Sequence, residues 1–272
     1  MPELPEVEMV VRGLRPDVIH RTFTGAEVYW PKEIAVHSPE AFAARLAGQR
    51  VESLDRRGKY IAFRLSDDYL LVHLKMTGRL YVARPGEDMG GDDRWVRVSL
   101  PMDDGRELRF SDARKFGRMF LTEQIETVTG ALGPEPLEDN FTLDTFRALI
   151  TRRGGLIKPL LLNQAFIAGV GNIYADEALW RAQIDPRRKA STLKPDEVAA
   201  LYAAIQMALR DGITYEGASI NWYRKPDGST GESQNHFNVY DREGEPCNRC
   251  GATISKIWLA QRGTHFCPQC QY

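Results

Sequence analysis

The sequence opens with Met1-Pro2-Glu3-Leu4-Pro5-Glu6-Val7-Glu8, and the interpretation of the whole chain starts from this stretch. Pro5 and the carboxylates after it suit the first turn of a helix, because proline needs no amide donor there and negative charge is stabilised at the positive helix end. Apolar residues at positions 7, 10, 11 and 14 continue the stretch at helical spacing. Removal of Met1 would leave Pro2 with a free secondary amine.

Such an amine is a candidate nucleophile. An α-amino group titrates near pH ~8, so a partly desolvated amine beside a helix start is available in its unprotonated form at neutral pH. Its attack on a sugar aldehyde carbon gives an iminium, which is an electron sink for later eliminations. Glu3 is the neighbouring carboxyl and is placed to move protons at the same centre. The same residues also suit an ordinary helix start, and the stretch alone leaves both interpretations open.

Size and composition indicate a soluble protein with two domains. The chain has 272 residues, of which 43% are hydrophobic and 27% are charged. It shows no signal-peptide pattern and no apolar run of about 18 residues, so we expect a cytoplasmic protein of bacterial type. The net charge of -1 argues against nucleic-acid binding, but basic residues cluster at 56–64, 109–118 and 152–189. Together these clusters permit a basic cleft on a neutral protein.

The hydrophobic pattern predicts an α+β fold. Residues 20–121 read mainly as β, with alternation at 61–65, 96–100 and 108–110, and with one strand extending over 70–76. Many short strands separated by turn signals favour a sandwich or a barrel. The Gly- and Pro-rich residues 130–139 mark a boundary, and a helical stripe introduced by Pro195 follows. We predict an N-terminal helix and β-sandwich domain over 1–130, a linker over 131–140, a helical domain over 141–235 and a zinc finger over 236–272.

Two segments of the second half suggest binding. Gly169-Val170-Gly171-Asn172 breaks one helix, and Asn172 is a candidate cap of the next, so exposed N–H groups there would form an anion site. A plain helical hairpin with a Gly-rich turn fits the same spacing, and the two interpretations stay open. The polar, turn-rich residues 217–235 predict a mobile loop that serves as a lid or binding loop, with disorder as the alternative.

The cysteines give the strongest single motif. Cys247 and Cys250 form one C-x₂-C pair, Cys267 and Cys270 form another, and these are all the cysteines of the chain. Two such pairs predict one tetrahedral structural zinc ion, because four thiolates leave no open coordination position; disulfides are the alternative. Arg262 lies in the turn between the pairs, where it would project into a DNA groove.

Taken together, the motifs resemble those of the formamidopyrimidine-DNA glycosylase family, within the Fpg/Nei group of base-excision repair enzymes. The resemblance spans the chain, and Leu4 favours the Fpg branch. Its motifs are MPELPEVE (1–8), RRGKY (56–60), HLKMTGRL (73–80), DARKFG (112–117), GPEPL (133–137), GVGNIYADEALW (169–180) and VYDREGEPC (239–247) with QRGTHFCPQCQ (261–271). It implies a helix-two-turns-helix element and a zinc-binding β-hairpin. It also implies a bifunctional, monomeric glycosylase/lyase that excises oxidised purines such as 8-oxoguanine and formamidopyrimidines from duplex DNA and cleaves the abasic strand by β- and δ-elimination.

The resemblance also implies roles for individual residues. Pro2 would attack C1′ of the damaged nucleoside, Glu3 would protonate the opening deoxyribose, and Glu6 and Lys59 would lie near the reacting sugar and phosphate. The groups that would hold phosphates are His73, Asn172 and Arg262, and Lys158 would approach the damaged base. The gap left by the extruded base would be filled by Met76, Arg114 and Phe116. Apolar character alone would instead place Met76 and Phe116 in the core.

Some positions depart from the family pattern. Lys75 stands where many members have Gly or Arg, and Asn221 replaces the usual arginine in the segment that leads into the lesion-recognition loop. Residues 231–233 lack the apolar or aromatic side chain common in that loop. Two alternatives therefore accompany the main prediction: a Nei-like glycosylase for oxidised pyrimidines, and a non-catalytic zinc protein that senses DNA damage.

Overall fold

The computed structural model describes residues 1–88, 90–91, 93–151 and 153–272, so Arg152 of the third basic cluster lies outside the described residues. The chain divides into two compact units. The first unit comprises Met1–Ala131 and Glu216–Gly231, and the second comprises Leu132–Tyr215 and Glu232–Tyr272. In the described part of the chain, none of the helices has both the length and the apolar character that crossing a membrane requires.

The helices and strands of the first unit are α1 (Leu4–Val18), β1 (Glu27–Val28), α2 (Pro39–Leu46), β2 (Val51–Arg57), β3 (Tyr60–Leu65), β4 (Tyr69–His73), β5 (Gly78–Ala83), β6 (Val96–Pro101), β7 (Glu107–Asp112), β8 (Arg118–Thr122) and α3 (Glu126–Thr129). Its strands form two antiparallel four-stranded sheets, in the orders β1-β6-β7-β5 and β2-β3-β4-β8. Side chains from both sheets and from the buried face of α1 share one hydrophobic core. The predicted N-terminal helix and β-sandwich are confirmed.

The connections between the two sheets position the site. β4 leads from one sheet into β5 of the other, and β7 leads back into β8. Because β4 pairs with β8 and β5 pairs with β7, the two connecting turns lie side by side at one end of the sandwich. The β2–β3 turn reaches the same end, since Tyr60 at the start of β3 pairs with His73 at the end of β4.

One predicted strand is shorter than its pattern suggested. Alternation predicted a strand over 70–76, but β4 ends at His73. Lys75 has φ of 54°, a left-handed conformation that a strand cannot contain. The chain then turns sharply, and Gly78 is required there because a Cβ atom would lie 2.3 Å from the Leu74 carbonyl oxygen.

The second unit contains α4 (Leu143–Ile150), α5 (Ile157–Leu162), α6 (Asn172–Arg181), α7 (Pro195–Thr214), β9 (Ser255–Leu259) and β10 (Arg262–Phe266). Helix α7 begins at Pro195, as predicted. Helix α6 begins at Asn172, but its N-cap is Gly171 and no side chain caps it, so Asn172 is not the cap that the sequence suggested. Gly169 before it has φ of 84°, the left-handed conformation that glycine permits.

The α+β class is confirmed, including the helical region and the C-terminal hairpin. Residues 216–231 pack with the first unit, where Tyr223 belongs to the core and Pro226 lies so close to Gly13 that an added Cβ would contact it at 2.9 Å. The exact domain boundaries remain a prediction.

Candidate active site

Met1 is 48% exposed, and the residues that follow it are buried in the first unit. Pro2 is buried, Glu3 is 3% exposed and Glu6 is also buried. One oxygen of Glu6 accepts the Glu3 N–H at 2.8 Å, which fixes the first turn of α1. Its other oxygen accepts the Ala218 N–H, also at 2.8 Å. A single buried carboxylate therefore joins the start of α1 to the segment 216–231.

Local backbone geometry brings that segment close to Glu6. Gly217 has φ of 82°, and a Cβ there would lie 3.1 Å from Cγ of Glu6 and 2.9 Å from the Tyr223 ring. The Tyr223 hydroxyl donates to the Glu216 carbonyl at 3.2 Å. Burial, with the Glu6 charge next in size, raises the pKa of Tyr223 above its ordinary value, so this phenol stays a neutral donor. Gly217 is therefore needed for both its conformation and its lack of a side chain.

Lys59 occupies the two-residue turn between β2 and β3 and is buried. Gly58 before it adopts φ of 58°, as tight hairpin turns require. Arg56 stabilises the turn, because it donates to the Gly58 carbonyl at 3.1 Å and pairs with Glu8 of α1 at 3.3 Å. Since Glu8 lies in the second turn of α1, this ion pair joins α1 to the end of β2 beside the Lys59 turn.

His73 is held as a neutral imidazole. Its Nδ1 accepts the Lys75 N–H at 3.0 Å, and the Tyr60 ring packs edge-on at 4.7 Å between centroids. Burial, followed by the charges of Lys75 and Lys59, lowers the pKa of His73 to about 3. Because Nδ1 is an acceptor in the neutral ring, the proton is assigned to Nε2, which leaves Nε2–H to donate to an anion.

The turn between β7 and β8, residues 113–117, is called here the wedge loop. Asp112 at its base is fully buried and accepts N–H groups from Arg114 at 3.1 Å, Phe116 at 2.8 Å and Gly117 at 2.7 Å. It also accepts the Thr77 hydroxyl, and that hydroxyl accepts the Arg114 N–H at 3.1 Å. Asp112 therefore shapes the wedge loop and ties it to the neighbouring β4–β5 turn.

The side chains at these two turns point away from the core. Met76 is 41% exposed and Phe116 is 48% exposed, so their interpretation as core residues is wrong. The Arg114 guanidinium lies over the Phe116 ring at 4.6 Å. Both side chains lie at the tips of turns, which face away from the core. The alternating pattern over 70–76 wrongly suggested a buried Met76, because β4 ends at His73, three residues before it.

In the second unit, the environment of Lys158 differs from what the family resemblance implied, which was a side chain that approaches the damaged base. It is 0% exposed, forms an ion pair with Asp176 at 2.7 Å, and donates to the Gly263 carbonyl at 3.0 Å and the Thr264 hydroxyl at 2.8 Å. In this structure its ammonium therefore supports the β9–β10 hairpin instead of facing a ligand.

One face of α6 holds the same hairpin. Asn172 donates to the Gly263 carbonyl at 2.9 Å, Asp176 accepts the His265 N–H at 2.9 Å, and the Trp180 indole donates to the Cys247 sulfur at 3.3 Å. These residues are spaced by four, so they share one side of the helix. Arg262 is exposed directly after the two-residue turn at 260–261, where both residues have positive φ, as in a type I′ hairpin.

The four cysteine sulfurs converge, and all lie within 4.8 Å of one another. The pairs Cys247–Cys270 and Cys250–Cys267 are separated by 3.7 and 3.6 Å, too far for disulfide bonds. Four sulfurs around zinc at about 2.3 Å would stand roughly 3.8 Å apart, so the donor set and its spacing fit one zinc ion.

Comparison with known proteins agrees with this geometry. Residues 1–119 match the formamidopyrimidine-DNA glycosylase N-terminal domain, 132–224 match its H2TH domain, and 244–271 match a zinc finger found in FPG and IleRS. The chain is 46% identical to a formamidopyrimidine-DNA glycosylase of Herpetosiphon aurantiacus over all of both sequences. It is also 46% identical to that of Lactiplantibacillus plantarum, over 98% of each. The chain belongs to the formamidopyrimidine-DNA glycosylase family.

Solved structures of the formamidopyrimidine-DNA glycosylase family share the fold. The Lactococcus lactis Fpg in complex with DNA containing an abasic site matches with a TM-score of 0.90 and 35% identity, over 99% of each chain. MutM in complex with DNA containing carbocyclic 8-oxo-G matches with a TM-score of 0.90 and 36% identity, also over 99% of each. With the zinc-finger match, the clustered cysteines identify one structural zinc ion, confirming that prediction.

Sequence reasoning missed two buried carboxylates, Asp112 and Glu177, that hold backbone segments in this structure. Asp112 was read only as part of a motif, although an Asp preceding a turn commonly accepts N–H groups two residues on. Glu177 was not considered, yet its carboxylate accepts the N–H groups of residues 238–240 at 2.9–3.1 Å. Its partners lie about 60 residues away in sequence, and no local pattern signals them.

Proposed function

We propose that this chain is a bifunctional DNA glycosylase/AP lyase that excises oxidised purines, such as 8-oxoguanine and formamidopyrimidines, from duplex DNA as a monomer. The observation that carries the mechanism is the amino terminus, where Pro2 and Glu3 are enclosed together and held by Glu6. Full-length similarity to named glycosylases and to Fpg and MutM bound to DNA supports the substrate class. We place the enzyme in the bacterial cytoplasm, where the chromosome lies.

Catalysis begins once Met1 has been removed. The Pro2 nitrogen attacks C1′ and gives up its own proton, the bond from C1′ to the base nitrogen breaks, and the base leaves carrying that proton. Glu3 gives a proton to the ring oxygen as the deoxyribose opens, which produces an iminium between Pro2 and C1′. Loss of a C2′ proton then expels the 3′ phosphate, and a second elimination expels the 5′ phosphate. Water releases the sugar fragment and leaves a one-nucleotide gap with phosphate at both ends.

Glu6 acts in this scheme as a positioning residue. It holds the Glu3 N–H with one oxygen and the Ala218 N–H with the other. The segment 216–231, which contains most of the lesion-recognition loop predicted over 217–235, is thereby held close to the start of α1. A catalytic group displaced by about 1 Å can lose a hundredfold in rate, so such a tether matters for chemistry at C1′.

Extrusion of the damaged nucleotide is the task of the two neighbouring turns. Swinging a base out of the stack costs a few kcal/mol. Met76 and Phe116 offset this cost by filling the vacated space, since both are exposed and apolar. Arg114, which rests on the Phe116 ring, donates hydrogen bonds to the orphaned partner base.

The remaining residues hold the DNA backbone. His73 donates from Nε2–H, and Lys59 supplies positive charge beside the reacting sugar and its phosphate. The β9–β10 hairpin, with the cysteine cluster beside it, is called here the zinc hairpin. Arg262 contacts phosphate from the tip of the zinc hairpin, and the N–H groups at the N-terminus of α6, near Asn172, also bind phosphate. Lys158 acts on DNA only through the hairpin that it supports. Zinc fixes the hairpin and takes no part in the chemistry, because its four thiolate ligands leave no open position.

Borohydride trapping tests this mechanism directly. Wild-type protein lacking Met1 should form a covalent adduct with an abasic-site duplex when the iminium is reduced. Pro2→Gly should weaken the lyase step, and Glu3→Gln should nearly abolish base excision while DNA binding persists. Absence of any wild-type adduct would refute the Schiff base, and full excision by Glu3→Gln would refute its assigned role.

Two comparisons separate the alternatives. Duplexes carrying 8-oxoguanine and thymine glycol distinguish purine from pyrimidine specificity, and we expect faster cleavage of the former. Mass spectrometry of the purified protein reports whether Met1 is removed; retention would favour a non-catalytic damage sensor.

A further inference from the structure

Residues 30–35, called here the support segment, pack against the wedge loop and the start of β8. The Lys115 ammonium, at the middle of the wedge loop, lies 3.8 Å from the centre of the Trp30 ring. Ile34 forms a parallel bridge with Met119 of β8, and the Ala35 N–H donates to the Met119 carbonyl at 2.9 Å. The support segment is therefore joined to the wedge loop by a cation–π contact and to the following strand by backbone bonds.

Glu33 of this segment is an unusual buried acid. It is 0% exposed, and neither carboxyl oxygen has a hydrogen-bond partner among the described residues. The Arg118 guanidinium is 4.0 Å away, too far for a hydrogen bond. Buried carboxyl groups normally accept hydrogen bonds, and one that accepts none is a candidate for function.

Arg118 instead donates a hydrogen bond to the backbone of the wedge loop. Its Nη1 donates to the carbonyl of Gly117, the last residue of the wedge loop, at 2.6 Å. The same nitrogen is the one nearest Glu33. Arg118 also pairs in register with His73, so it lies at the end of the sandwich that carries the candidate site. The same Nη1 therefore lies within hydrogen-bond distance of the Gly117 carbonyl and 4.0 Å from a carboxyl that accepts no hydrogen bond from the described residues.

We propose that Glu33 is a positioning residue of the wedge loop: in its ionised form it draws Arg118 away from the Gly117 carbonyl and loosens the loop that carries Arg114 and Phe116. This inference rests on the proposed function of those two side chains. In the neutral form, Arg118 stays on Gly117 and the loop is held for insertion.

The charges around Glu33 determine when this occurs. Burial, with a smaller contribution from Asp112 of β7, raises the pKa of Glu33 to about 8. Arg118 of β8, Arg97 of β6 and Lys115 of the wedge loop act in the opposite direction. With a pKa of about 8, Glu33 is mainly neutral at pH 7 and mainly ionised at pH 9. Because an unfolded Glu titrates near pH ~4.3, the native state loses stability as pH rises from there through about 8.

The test is a pH profile of single-turnover excision from an 8-oxoguanine duplex, between pH 6.5 and 9, for wild type and Glu33→Gln. Taking the ratio of the two rates cancels the titration of the catalytic groups, which both proteins share. We expect a nearly constant ratio up to about pH 7 and a wild-type rate about threefold to tenfold below that of Glu33→Gln at pH 9. Glu52→Gln removes an exposed carboxylate of the same unit and should track wild type throughout.

A second readout follows the wedge loop itself. A 2-aminopurine next to the orphaned base brightens when the wedge side chains unstack it, and this signal should fall above pH 8 for wild type but not for Glu33→Gln. Arg118→Met should also lose the pH dependence, with a weaker signal at every pH. Identical profiles for wild type and Glu33→Gln would overturn the proposal. Adduct trapping at pH 7 by both proteins keeps the proposed function separately testable, and thermal midpoints at pH 7 show that the variants fold.

Discussion

The wedge loop of the first unit and the zinc hairpin of the second are both exposed turns, but different kinds of contact hold them in place. Each is a tight turn that exposes the side chains proposed to contact DNA, Arg114 and Phe116 in one and Arg262 in the other. The wedge loop is held through its N–H groups, which the Asp112 carboxylate accepts. The zinc hairpin is held by side chains distant in sequence: Lys158 and Asn172 both donate to the Gly263 carbonyl, and Asp176 accepts the His265 N–H.

The difference lies in how far each support reaches. Asp112 lies within five residues of every N–H that it accepts, and its remaining partner Thr77 lies in the neighbouring β4–β5 turn, so the wedge loop is organised by residues at one end of the sandwich. Lys158 lies 105 residues from Gly263, and the hairpin also needs zinc and one face of α6. We therefore expect damage to the hairpin to spread through the second unit, whereas damage to the wedge loop should stay local.

Loss of the metal should have the largest effect. Cys250→Ser removes one zinc ligand, and zinc binding contributes on the order of 10 kcal/mol to the folding of such hairpins. We expect more than about a hundredfold loss of affinity for an abasic-site duplex, together with loss of bound zinc by metal analysis. Asn248→Ser, between the same two ligands, is the matched control and should retain both. Unchanged DNA affinity in zinc-free protein would show that the hairpin does not need its metal to bind.

Lys158→Met should come next, as a loss of stability. It leaves Asp176 buried without its cation, and breaking a buried ion pair in this way costs about 3–5 kcal/mol. Chemical denaturation should show this loss, and adding Asp176→Asn should recover most of it, because the charge is removed while the acceptor for His265 remains. A large loss of DNA affinity with unchanged stability would instead mean that Lys158 reaches DNA, as the family resemblance implied.

Asp112→Asn should give a smaller and local effect. An amide in place of the carboxylate weakens three hydrogen bonds to the wedge loop, at a cost of about 1–3 kcal/mol. Discrimination between bases opposite 8-oxoguanine should fall about tenfold, measured as a ratio of excision rates, while affinity for undamaged duplex stays constant. Asp103→Asn, in an exposed turn of the same unit, serves as the control. Equal losses on damaged and undamaged DNA would contradict a purely local role.

The same contrast explains what sequence could predict. The start of α7 at Pro195, the sandwich strands and the zinc ligands follow from periodicity, proline chemistry and cysteine spacing, all of which are local. The burial of Lys158 could not be predicted, because its partners Asp176 and Gly263 meet it only in the folded unit. Met76 was ambiguous for a related reason: a lysine in the left-handed conformation ends β4, and lysine is not a turn signal. Glu33 carries no sequence mark of its burial.

The smallest expected effect is a change in the salt dependence of DNA affinity, which distinguishes a charged contact at the zinc hairpin from an apolar contact at the wedge loop. If Arg262 contacts a phosphate, Arg262→Ala should reduce the slope of log affinity against log salt by about 0.9, because one fewer counterion is released. Phe116→Ala should leave that slope unchanged, since an apolar wedge displaces no counterions, and should lower only the affinity for duplexes with an extruded base. Binding titrations at several salt concentrations measure both. Equal slopes for wild type and Arg262→Ala would mean that the exposed arginine of the hairpin does not contact phosphate, and the hairpin would then act on DNA by shape alone.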